Sequence, residues 1–118
     1  MKFLGMKLHG VLDYLTVLGF LLAPSVLGLG GTPALIAYVL SGVHLVLTLL
    51  TAFPLGLLKI VPRVVHGGLE LLVSLTLVGL PWILKFSSDA PARNFYLGAG
   101  GVIFAVWLVT GYREPKAA

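Results

Sequence analysis

The sequence predicts an all-α integral membrane protein: a four-helix bundle made of two tandem two-helix repeats with parallel pseudo-two-fold symmetry. Four observations predict it. The 118 residues are 58% hydrophobic and only 10% charged, with a mean hydropathy of +1.06, whereas soluble domains carry about 25% charged residues. From Tyr14 to Leu58 there is no Asp, Glu, Lys or Arg, a run of 45 residues, and about 20 residues of helix cross a hydrocarbon layer. The apolar runs are continuous, which in lipid selects helices over a barrel. Finally, the chain aligns with itself.

Glycine, proline and charge punctuate the chain into its elements. Helix one runs from about Leu8 to Leu29 and stops at Gly30-Gly31. Helix two runs from about Pro33, a suitable first-turn proline, to Phe53 before Pro54. Helix three follows Pro62-Arg63 and runs from about Val64 to Leu84, and helix four runs from about Ala92 to Tyr112. Lys2 and Lys7 ahead of an apolar stretch imitate a signal peptide. That stretch is long, carries Asp13 and leads into a second apolar segment, so it reads as a retained helix. No cysteine is present, which excludes disulfides and thiolate metal sites.

Basic residues orient the bundle. Lys2, Lys7, Lys59, Arg63, Arg113 and Lys116 fall on one side, and Lys85 and Arg93 on the other. This places both termini in the cytoplasm. Tyr14, Phe53, Trp107 and Tyr112 are expected in the inner aromatic belt, and Trp82, Phe86, Phe95 and Tyr96 in the outer one. Because the basic residues sit at helix ends, the net charge of +4 is no nucleic-acid footprint; the expected surroundings are a lipid bilayer.

A shift of 57 residues lays Lys2 on Lys59, His9 on His66, Gly10 on Gly67, Asp13 on Glu70 and Pro24 on Pro81. One further residue of shift lays Pro33 on Pro91, Tyr38 on Tyr96 and Gly42 on Gly100. The chain is thus one transmembrane domain with repeat 1 at about 1–57 and repeat 2 at about 58–118. Two helices per copy give both copies the same orientation, related by an axis along the membrane normal.

Ala23-Pro24-Ser25 and Leu80-Pro81-Trp82 stand near the outer end of the first helix of each copy. This arrangement resembles the SPW-repeat proteins, small bacterial membrane proteins with a Ser-Pro-Trp motif in a repeated two-helix unit. The stretches from His9 to Tyr14 and from Ala92 to Leu97 are also similar to uncharacterised relatives. The resemblance implies a bacterial cytoplasmic (inner) membrane location and two tandem helical pairs. It implies no activity, cofactor or functional residue.

Ionisable groups inside a membrane are costly and mark candidate sites. His9 with Asp13, and His66 with Glu70, stand at i,i+4 and share a helix face. If both faces meet the axis, two imidazoles and two carboxylates converge. That set suits a divalent zinc, manganese or iron ion. His9 and His66 alone suit axial ligation of a haem, and histidines also suit a proton relay. The competing reading is helix-end structure, with an acid favoured in a first turn by the helix dipole. His44 lies mid-helix in helix two, with Ser41 and Thr48 at spacings that could satisfy its ring.

Gly98, Gly100, Gly101, Gly67-Gly68 and Ala37/Ser41 offer small faces for close helix approach. Pro24 and Pro81 are expected to kink or end their helices. No nucleophile–base set or phosphate-binding glycine loop is found, so no catalytic residue is assigned. The leading functional reading from sequence is a structural or accessory membrane protein that packs against itself or a larger membrane complex. A metal- or haem-binding membrane protein and a small oligomeric transporter or channel are the alternatives.

Overall fold

A computed structural model describes residues 4–112. Lys2, Arg113 and Lys116, three of the orienting basic residues, lie outside the described residues. The chain forms four helices: α1 (Met6–Val26), α2 (Gly31–Leu50), α3 (Arg63–Ile83) and α4 (Ala90–Val109). Each has 20 or 21 residues and is apolar enough to cross a membrane; at 1.5 Å per residue each spans about 30 Å. Among the described residues there is no β-strand, only two isolated parallel bridges, Leu4 with Thr110 and Thr51 with Val61.

Every helix ends three residues earlier than expected, or one in the case of α3, and the backbone explains why. After α1, Gly28 adopts a left-handed φ of +66°, and the Leu29 amide donates to the Pro24 carbonyl at 2.9 Å. This is a Schellman closure, in which a left-handed residue turns the chain back onto the last helical turn. The same closure ends α3, where the Phe86 amide donates to Pro81 at 2.8 Å. There the left-handed position, φ 62°, falls on Lys85 rather than a glycine. Pro24 and Pro81 thus stand in the last turns of their helices, where the chain is about to leave helical geometry.

At the opposite end of the bundle, α2 and α4 stop at Thr51 and Thr110, which are extended, with ψ of 141° and 135°. Each threonine pairs with the strand-like residue that leads into a neighbouring helix. The Leu4 amide donates to Val109 at 2.9 Å, and the Ala52 amide to Val61 at 2.7 Å. These bridges bring the ends of α2 and α4 against the starts of α3 and α1. The 51–62 loop closes on itself: the Lys59 ammonium donates to the Phe53 carbonyl at 2.6 Å, and the Arg63 guanidinium to Ala52 at 2.8 Å.

α1 packs mainly on α2, and α3 on α4. Ser41 donates to the Val17 carbonyl at 2.9 Å, and Ala37 beside it is fully buried. In the other pair Gly100 is the close-approach residue: a Cβ there would lie 2.7 Å from both the Ser74 carbonyl oxygen and Val78. Gly68, Gly98 and Gly101 instead face open space, so they do not set an interhelical distance within the chain. The apolar core, including Phe20, Leu77 and Tyr96, fills the half of the bundle away from the threonine bridges.

Several expected belt aromatics point inward. Tyr96 is fully buried and donates to the Pro33 carbonyl at 2.6 Å, and Phe86 and Phe53 are also buried. A phenol or ring with a fixed partner inside the bundle is more useful there than at an interface. Trp82, by contrast, is exposed. The outer surface is aliphatic, with Leu15, Val43, Leu72 and Val102 all exposed, while His9, Asp13, His66 and Glu70 are buried. This polar-inside distribution inverts the usual soluble pattern.

Candidate metal centre

The four paired residues meet. His9 and Asp13 lie one turn apart on α1 and His66 and Glu70 one turn apart on α3, each within the first eight residues of its helix. All four are nearly or wholly inaccessible, at 4% or less. One ligand atom from each lies within 4.8 Å of the others. His9 Nε2 is 3.3 Å from Asp13 Oδ1 and 3.1 Å from Glu70 Oε2. His66 Nε2 is 3.1 Å from Asp13 Oδ2 and 2.8 Å from Glu70 Oε1. Each carboxylate therefore spans both imidazoles.

The outer nitrogens are fixed by threonine. Thr110 donates its hydroxyl proton to the Val106 carbonyl at 2.6 Å, so towards His9 Nδ1, 2.9 Å away, it acts as acceptor. Thr51 donates to Leu47 at 2.6 Å and accepts from His66 Nδ1 at 2.7 Å. Both rings therefore carry their proton on Nδ1 and present Nε2 to the centre. This is the arrangement by which a hydrogen bond to one imidazole nitrogen sets the other as a metal ligand.

In neutral rings of that tautomer, two nitrogen lone pairs face carboxylate lone pairs at hydrogen-bond distance. Such a contact is repulsive until positive charge, as protons or as a cation, is placed among the four groups. Asp13 Oδ2 is buried with no hydrogen-bond partner, even though His66 Nε2 is near, because that nitrogen is engaged by Glu70 Oε1. A buried carboxylate oxygen without a hydrogen-bond partner, beside two imidazole nitrogens, is one that a cation would satisfy.

The distances fit an ion. A tetrahedron with metal–ligand bonds of about 2.1 Å has edges of about 3.4 Å. The nitrogen–oxygen contacts of 2.8–3.3 Å use both oxygens of each carboxylate, and one ligand atom from each residue lies within 4.8 Å of the others, so small side-chain adjustments bring all four onto one ion. A haem held by His9 and His66 fits less well. Its ring would need an open slot between the two Nε2 atoms, and the carboxylates already occupy that space.

Three further residues complete the surroundings. Tyr112 donates to Glu70 Oε2 at 2.7 Å and lies edge-on to His9, with ring centroids 5.1 Å apart. Burial and the adjacent Glu70 carboxylate hold its phenol proton well above the usual tyrosine range, so it stays a donor. Phe53 stands against His66. The glycines next to the histidines make room for these two rings: a Cβ on Gly10 would collide with Phe53, and one on Gly67 would lie 2.8 Å from the Tyr112 ring. Sequence reasoning assigned Phe53 and Tyr112 to the membrane boundary and overlooked both threonines. A signal was present, because a shift of 59 residues lays Thr51 on Thr110 and Phe53 on Tyr112.

His44 joins the cluster from α2. Its Nε2 is 3.3 Å from Asp13 Oδ1 and 4.0 Å from Glu70 Oε1. Neither expected partner serves its ring: Ser41 bonds to Val17, and Thr48 to the His44 carbonyl. Nor is it at mid-helix depth. It lies six residues before the end of α2, or about 9 Å at helical rise, level with Asp13.

Compared with known protein families, with curated proteins and with solved structures, the chain matches none.

Proposed function

We propose that this chain is a tandemly duplicated, multi-pass membrane protein that binds one divalent first-row transition ion, with His9, Asp13, His66 and Glu70 as ligands. The observation that carries the reading is the convergence of two buried imidazoles and two buried carboxylates, with nitrogen–oxygen contacts of 2.8–3.3 Å and one ligand atom from each within 4.8 Å of the others. Imidazole and carboxylate together suit zinc, manganese and iron(II). Two carboxylates and a divalent ion sum to zero charge, which removes most of the cost of placing ionised groups in a low-dielectric interior.

The helix-end alternative is weaker. Asp13 and Glu70 turn to imidazoles and a phenol, and the N-caps of α1 and α3, Gly5 and Pro62, have no side-chain cap. The duplication is supported by matched pairs at the site: His9 with Thr110, His66 with Thr51, and the aromatics over Gly10 and Gly67. The likeness to SPW-repeat proteins rests on the residues around Pro24 and Pro81, where neither copy reads Ser-Pro-Trp in full. With it go the proposals of a bacterial inner-membrane location and cytoplasmic termini. Self-association or docking to a larger complex fits the open faces at Gly68 and Gly101.

Elemental analysis of protein purified in detergent under metal-replete conditions tests the reading. About one zinc, manganese or iron per chain is expected, and none in the His9→Ala/His66→Ala double variant. Metal that persists in the double variant would place the site elsewhere.

A further inference from the structure

A cavity meets the proposed metal site on one side, at Asp13 and Glu70. α1 and α4 do not pack closely along their length, and a cavity of about 220 Å³ lies in the seam between them. Leu12, Leu15 and Val106 form aliphatic walls, and Asp13, Glu70 and His44 close its inner end. A second hollow, about 340 Å³, continues it along the same seam past Gly19 and Gly98 to Asn94. The two share Thr16, Val102 and Ile103. Together they make a groove along α4 from Val106 to Asn94, about 18 Å at helical rise. It is apolar throughout except at its ends.

A lipid acyl chain fills such walls but offers nothing to the inner end. There the imidazole of His44, 13% exposed and not one of the four ligands, faces the cavity beside the Asp13 and Glu70 carboxylates. A polar group buried without a partner costs roughly 1–3 kcal/mol, so the fitting occupant is apolar with one polar head. An ammonium head is excluded by the divalent ion, which would repel it and take no bond from it. A hydroxyl satisfies both requirements: its oxygen can add to the ion as a fifth ligand, and its proton can be donated to His44.

Resting on the metal reading, we infer that the α1–α4 groove admits a membrane-soluble amphiphile whose hydroxyl or phenol head coordinates the ion held by His9, Asp13, His66 and Glu70. The ligand enters sideways from the bilayer rather than from water. Val102, exposed on the seam and shared by both hollows, controls passage between them. Gly19 and Gly98, whose added Cβ atoms would meet nothing, keep the outer part wide.

Cobalt(II)-loaded protein provides the test, since its visible absorption responds to a change of metal ligand. The probes are 4-octylphenol and octylbenzene, which differ by one hydroxyl. The phenol should shift the cobalt bands, and octylbenzene should not. A Val102→Phe variant, distant from the four ligands, should bind cobalt normally and weaken the phenol response by about tenfold or more, the scale of forcing a ligand past an overpacked ring. Normal cobalt binding with no phenol response, or an equal response in Val102→Phe, overturns the groove while leaving the metal site standing. Protein that binds no cobalt removes the metal reading and the inference with it.

Discussion

The two threonines are the residues on which the chemistry of the centre turns. By donating to helical carbonyls, Thr51 and Thr110 become acceptors for the Nδ1 protons and aim both Nε2 atoms inward. Removing an outer hydrogen bond to a ligating histidine lowers metal affinity by roughly 10–100-fold. Thr51→Val and Thr110→Val, which keep side-chain volume, should each weaken zinc binding by that amount in a competition titration, with the helical content unchanged. His44→Ala should leave one metal per chain, because His44 touches Asp13 without being one of the four ligands. The four residues that converge were legible in the sequence because acids and histidines are conspicuous in a chain with so few charges, and the 57-residue shift pairs them. Thr51, Thr110 and Tyr112 were not. Threonine is common in such helices, and its role depends on the extended backbone that follows α2 and α4.

Helix ends and helix contacts carry the next set of consequences. Lys85 holds a left-handed conformation that glycine adopts freely, and in the matching closure of α1 a glycine is present. Lys85→Gly should therefore stabilise the fold by about 0.5–1 kcal/mol, the left-handed penalty of a side-chain-bearing residue less the extra unfolded-state freedom of glycine, read as a rise in the midpoint of unfolding in detergent. Gly100→Ala should do the reverse. Its new methyl group meets the Ser74 carbonyl and Val78, and such overpacking typically costs about 1–3 kcal/mol. Gly101→Ala, on an open face, serves as the control and should be close to neutral. The elements themselves were plain from hydropathy, and all four helices stand where apolar runs placed them. Their ends were displaced because Gly28 acts earlier than the Gly30-Gly31 pair, and because Thr51 and Thr110 pair with residues far away in the chain. Local sequence carries no signal for such pairing.

On the scale of the whole molecule, an aliphatic exterior surrounds a charged interior, and the interior charges belong to different helices. α1 and α3 supply the ligands, α2 supplies His44, and the segments after α2 and α4 supply the threonines and the covering rings. Binding of an ion to this arrangement joins the two helical pairs, so metal should stabilise the entire bundle by mass action. At a free zinc concentration of 100 times Kd the gain is about 2.7 kcal/mol, measurable as a higher unfolding temperature that a chelator reverses. The sequence predicted two helical pairs but could not say whether the faces bearing His9 and His66 meet. That depends on side-chain packing between segments some 57 residues apart. X-ray absorption spectroscopy of the zinc-loaded protein addresses the point most directly. Two imidazole nitrogens and carboxylate oxygens at about 2.0–2.2 Å, with one imidazole lost in His66→Ala, are the expected result. A shell of oxygen alone, unchanged in His66→Ala, would contradict a metal centre built between α1 and α3.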